Sequence, residues 1–122
     1  MLLEECYQAF GGNYQDVKSR LQNDSLITRF VIKFLTDPSY GTLCNAIREE
    51  NYGEAFRAAH TLKGLSQNLS FSRLSESSSN LTELLRKHET VPVDKNMCEK
   101  LFLQVSADYT AVTETIKEFS KQ

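Results

Sequence analysis

Glycine and proline are scarce in this 122-residue chain, with 5 and 2 copies, which excludes collagen-like repeats and flexible low-complexity linkers. Charge of one sign is missing too. Lys and Arg number 14 against 16 Asp and Glu, a formal net charge of -2, so no global basic field exists to hold a nucleic-acid backbone. Long hydrophobic runs are absent: the most apolar stretch, Phe30 to Leu35, is interrupted by Lys33, and the start Met1-Leu2-Leu3-Glu4-Glu5 lacks the basic and apolar segments of a secretory signal. The expectation is a cytoplasmic protein that binds neither membrane nor nucleic acid. Cysteine is sparse and odd in number; Cys6, Cys44 and Cys98 lie far apart with no Cys-x-x-Cys pair, so they are read as reduced, small apolar residues. What remains is 40% hydrophobic and 25% charged, the composition of one soluble globular domain with enough chain to bury a core.

Hydrophobic period is helical nearly throughout, and no strand-like alternation or hairpin dipeptide interrupts it. The fold class is therefore all-α. Leu3, Cys6, Tyr7 and Phe10 form a first short stripe closed by Gly11-Gly12, and Tyr14, Val17 and Leu21 a second, so residues 1–22 read as lead-in helices. Asp24 or Ser25 is placed to cap a helix ending before Pro38. Asp37 is placed to cap the next, with Pro38 at its first position. Asn51-Tyr52-Gly53-Glu54 has the form of a capping box opening a helix to about Leu69. Ser70 or Ser72 would cap another, in which the run of serines supplies small residues for close helix approach. From Asp94, Met97, Leu101, Val105, Tyr109, Val112, Ile116 and Phe119 recur every three or four residues, predicting the longest helix. Residues 24–120 thus predict an antiparallel bundle, and the chain as a whole, 1–122, one domain.

Several chemistries lack their residues. There is no glycine-rich phosphate loop, no His-Glu-x-x-His, and no Glu-x-x-His, since Arg57 and Leu85 stand three places before the two histidines; no ATP, zincin or di-metal site is expected. His88, following Arg86-Lys87 at a helix end, suits a structural role beside exposed carbonyls. His60 differs. At about 100° per residue, Ala55, Ala58, Ala59, Leu65, Ser66 and Leu69 fall within roughly 60° of Leu62, whereas His60 lies roughly 160° from it and faces outward. Gly64 sits one turn on, where an exposed helical glycine costs about 1 kcal/mol relative to alanine and opens space beside the imidazole. Arg57 and Lys63, three residues either side, suit an anion attached there. Gln67 adds a hydrogen-bond donor on the same face, and Phe56 and Leu65 add apolar surface for a docking partner.

The run Ala58-Ala59-His60-Thr61-Leu62-Lys63-Gly64, followed by Asn68-Leu69, resembles the signature of the histidine-containing phosphotransfer (HPt) domain, His-x-Leu-Lys-Gly with a Leu and usually a Gly further on. The likeness extends from about Asn13 to Phe119. Leu65 replaces a residue that is commonly small in the family, and Ser70 replaces the Gly that often ends the motif. The resemblance implies a four-helix bundle of HPt type, here with short extra N-terminal helices. It implies a carrier that relays phosphoryl groups between receiver-domain aspartates, with His60 as phosphoacceptor, Lys63 stabilising phosphoryl charge and Gly64 giving clearance. Partners would be response-regulator receivers and a hybrid histidine kinase, with no cofactor of its own and the receiver supplying Mg²⁺. The acidic residue and Arg-Thr-Pro that follow the histidine in kinase dimerisation domains are absent, so autophosphorylation is not expected. Two alternatives stand beside this: an HPt-like adaptor that binds receivers or kinases without carrying phosphate, and a structural helical subunit, which leaves an outward Gly64 unexplained. A chain beginning at Met1 with one domain suggests a free-standing protein, and the lack of a surplus apolar stripe a monomer.

Overall fold

The computed structural model describes residues 1–122 as seven helices and no strands: α1 (Leu3–Phe10), α2 (Tyr14–Leu21), α3 (Asp24–Phe34), α4 (Ser39–Arg48), α5 (Tyr52–Asn68), α6 (Ser72–Leu85) and α7 (Lys95–Ser120). α5 packs against α4 on one side and α6 on the other, and α6 packs in turn against α7. Three-residue connections on either side of α5 make its neighbours antiparallel to it. The remaining side is a broken one. α3 and α4 meet at a corner where Phe34 and Tyr40 both reach Tyr109 of α7, with ring centroids 5.9 Å and 3.9 Å apart, and the Tyr40 and Ser106 hydroxyls are 2.7 Å apart. This is the all-α bundle that the hydrophobic period implies.

All seven helices contribute to one core of 23 buried apolar residues. The first stripe is fully committed to it. Leu3, Cys6, Tyr7 and Phe10 are all buried, and Tyr7 and Phe10 meet Phe71 at 5.7 Å and 5.0 Å, with Phe34 also 5.2 Å from that ring. Tyr7 donates to the Leu69 carbonyl at 2.7 Å in the interior, and burial pushes its phenol well above the usual range. The lead-in helices therefore also hold the C-terminal end of α5. A second tie comes from α2: Ser70 donates to Asp16 at 2.6 Å and accepts from Arg20 at 2.6 Å, while the Ser70 carbonyl accepts from the Asn13 backbone N–H.

The caps fall close to the expected places but on neighbouring residues. Asn23, rather than Asp24 or Ser25, opens α3, accepting from the backbone of Ser25 and Leu26. Asp37 does accept from Ser39 N at 2.8 Å, yet Pro38 stands just outside the helix. Asn51 caps α5 through Glu54 N, whereas the Glu54 carboxylate turns to Arg57 and leaves the box half-formed. Neither Ser70 nor Ser72 caps α6; the carbonyl of Gly11 accepts from Arg73 N instead, so an orphan donor of the first turn is satisfied from α1. Ser77 and Ser78 are buried on α6, as small residues at a close helix contact require.

Candidate functional site

The two faces of α5 follow from its spacing. Ala55, Ala58, Ala59, Leu62 and Ser66 are buried, the small ones letting α4 and α6 approach, and Ser66 returns its hydroxyl to the Leu62 carbonyl at 2.7 Å. Leu65 is half-buried on the flank, and His60 is exposed. A Cβ built on Gly64 meets nothing within 4 Å. No packing reason within the chain explains this glycine, and the space one turn from the imidazole is open.

The structure distributes the other expected site residues unevenly. Lys63 is half-buried beside His60 on the same turn. Arg57 turns away: its guanidinium pairs with Glu54 at 2.9 Å on the preceding turn, because the carboxylate three residues back is within easy reach. Phe56 is half-buried rather than fully exposed. Its ring is near both histidines, 6.0 Å from His60 and 6.3 Å from His88. His88 is a structural histidine, its Nδ1 3.1 Å from the Leu85 carbonyl at the end of α6; a carbonyl only accepts, so Nδ1 carries the proton. Gln67 is exposed at the edge of a polar groove that also holds Ser66, Ser75 and Asn80.

Two features of the site were not anticipated from the sequence. The cation that replaces Arg57 comes from the next helix: Arg86 lies over the Phe56 ring, its Cζ 5.3 Å from the centroid. It is held there by a two-pronged bond to Glu83, both contacts 2.9 Å. These Arg86 hydrogen bonds hold the Glu83 carboxyl below its usual range, helped by the nearness of Lys63 and His60. The antiparallel level of α5 and α6 was the signal for this, since a helix end at residue 86 returns to the height of Phe56. The second feature is a groove of about 340 Å³ beside Leu65, lined by Leu21, Phe30, Phe34 and Leu69, with Lys33 at its edge. Phe30 is exposed in it.

The family model of the Hpt domain matches residues 38–118, from the start of α4 to near the end of α7. The chain belongs to the Hpt domain family, whose role is histidine phosphotransfer in two-component signalling. Members are phosphoryl carriers rather than enzymes, and they interact with receiver domains and kinases. No curated protein and no solved structure matches the chain. No helix is long and apolar enough to cross a membrane, and no group of three or more His, Cys, Asp or Glu is arranged to hold a metal ion.

Proposed function

We propose that this protein is a phosphorelay carrier that accepts a phosphoryl group on His60 from a receiver-domain aspartate and passes it to another receiver. The observation that carries this reading is the open space over Gly64 beside an exposed imidazole. The Nε2 lone pair of His60 forms a bond to phosphorus as the bond from phosphorus to the aspartyl oxygen breaks. The aspartate leaves as carboxylate and the ring gives up its Nδ1 proton; the reverse sequence returns the group to the next receiver. Mg²⁺ held by the docked receiver would neutralise phosphoryl charge during this in-line transfer. Lys63 supplies a further cation from this chain, and Gly64 gives the clearance that the receiver needs.

For docking we assign the surface around His60: Phe56, Arg57, Leu65 and Gln67. The groove beside Leu65 extends it with apolar area suited to a protein partner. The partners of this reading are response-regulator receivers and a hybrid histidine kinase, met by a monomer in the cytoplasm, a setting in which three unpaired thiols persist. No nucleic-acid or membrane partner and no resident cofactor enters it.

The test is transfer from a panel of Mg²⁺-bound, phosphorylated receivers to the wild type and to His60→Gln, scoring an acid-labile, alkali-stable adduct. The carrier reading expects rapid labelling of the wild type alone. Receiver binding without labelling would instead establish an adaptor that carries no phosphate.

A further inference from the structure

A carboxylate is paired with the arginine that shares the Phe56 ring with His60. Glu83 is exposed on α6 and binds Arg86 through both oxygens, and Lys63 and His60 are near enough to add to Arg86 in holding its carboxyl low. Arg86 is thereby laid over Phe56, whose ring centroid is 6.0 Å from that of His60. Contacts thus connect Glu83 to Arg86, Arg86 to Phe56 and Phe56 to His60 across the seam between α5 and α6. A site built only to hold an anion would leave its arginine free; here the arginine is already neutralised.

We propose that Glu83 acts as a standing anion that keeps the phosphoryl group on His60 in a readily donated state, by repelling it and by competing with it for Arg86. This rests on His60 being the phosphoacceptor. The direction follows from where the charge goes. A phosphoryl group on Nε2 is dianionic, whereas in the loose transition state its charge is partly passed to the departing ring. A fixed neighbouring anion therefore destabilises the starting state more than the transition state, and loss of the group is accelerated. Arg86 opposes this, as the cation that Glu83 and the phosphoryl group share. Both are positioning residues, acting on the modified ring through charge. At this exposure the effect is about three- to tenfold in lifetime, and salt diminishes it.

The test uses the full chain and phosphoramidate as donor. The Nε2 lone pair takes the phosphorus and ammonia leaves; afterwards water attacks phosphorus, the P–N bond breaks, and its electron pair returns to the ring nitrogen, which takes up a proton. After removal of the reagent, phosphorus NMR follows the phosphohistidine of wild type, Glu83→Gln, Arg86→Met and, as a control on α7, Glu99→Gln, at low and high salt. The expected result is a several-fold longer lifetime for Glu83→Gln, a shorter one for Arg86→Met, no change for Glu99→Gln, and convergence at high salt. An unchanged or shortened lifetime in Glu83→Gln, with His60 still labelled, overturns the proposal and leaves the carrier reading intact. Absence of labelling in the wild type overturns the carrier reading itself, and the proposal with it. Two variants of opposite expected sign separate a charge effect from simple loss of structure, which would shorten both lifetimes.

Discussion

On its inner face α5 carries Ala55, Ala58, Ala59, Leu62 and Ser66, each out of water, where the helix packs against α4 and α6. On its outer face it carries His60 and Gly64, where an added Cβ would touch nothing. The inner face is explained entirely by packing: small residues set the distance to α4 and α6, and Leu62 fills the space between. The outer face has no such explanation, and its glycine weakens the helix. The composition of the outer face is what the proposed carrier reading accounts for, by assigning that face to a docked partner. In this family that partner is a receiver or kinase.

The largest effect expected on the outer face is chemical. His60→Gln removes the acceptor and should abolish labelling while leaving thermal unfolding unchanged, because the side chain is exposed. The inner-face counterpart is Leu62→Ala, at 1% exposure. It should lower unfolding free energy by about 2–5 kcal/mol, read by denaturant titration, with the folded fraction still labelled.

Gly64 and Gly41 sharpen the comparison, since neither position has an atom within 4 Å of a built Cβ. Gly64→Ala and Gly41→Ala should each raise stability by up to about 1 kcal/mol. Only Gly64→Ala should also slow transfer from a phosphorylated receiver, by about tenfold or more. Equal transfer rates for the two would show that the space over Gly64 is not used.

Smaller effects are expected where α2 ties down the end of α5. Ser70 has φ +57°, a left-handed conformation that costs a residue with a Cβ roughly 1 kcal/mol or more. Its hydroxyl bonds to Asp16 and Arg20 offset a similar amount. Ser70→Gly should therefore change stability little, and Ser70→Ala should lower it by about 1 kcal/mol. Smallest is an acid effect. The Ser70 hydroxyl, with Arg20, holds the Asp16 carboxyl below its usual 3.8. A depressed carboxyl stabilises the fold above its unfolded value, and that contribution is lost as pH falls through the folded one. The difference in Tm between wild type and Asp16→Asn should accordingly be present near neutrality and shrink below about pH 4.

Much of this was legible in the sequence, and the exceptions have a common cause. The outward placement of His60 and the buried set around Leu62 depend only on helical period, so a wheel reads them. Caps differed by one residue where Asn23, Asp24 and Ser25 offer similar oxygens in succession and only backbone geometry selects among them. The pairing of Arg57 with Glu54 was legible in principle, as an acid and base three places apart on one helix. Arg86, and Glu83 which holds it, were not legible from α5 at all, because the place of Arg86 over Phe56 depends on the register between two helices. The burial of all four residues of the first stripe likewise depends on what α1 packs against, which a short periodic pattern does not specify.

The most direct test of the central claim is nitrogen NMR of the histidine rings in the isotope-labelled chain during transfer from a Mg²⁺-bound, phosphorylated receiver. The account predicts that the Nε2 resonance of His60 alone shifts to that of a phosphorylated ring and returns when a second, unphosphorylated receiver is added. A shift at His88, or receiver binding with both imidazoles unmodified, would contradict it.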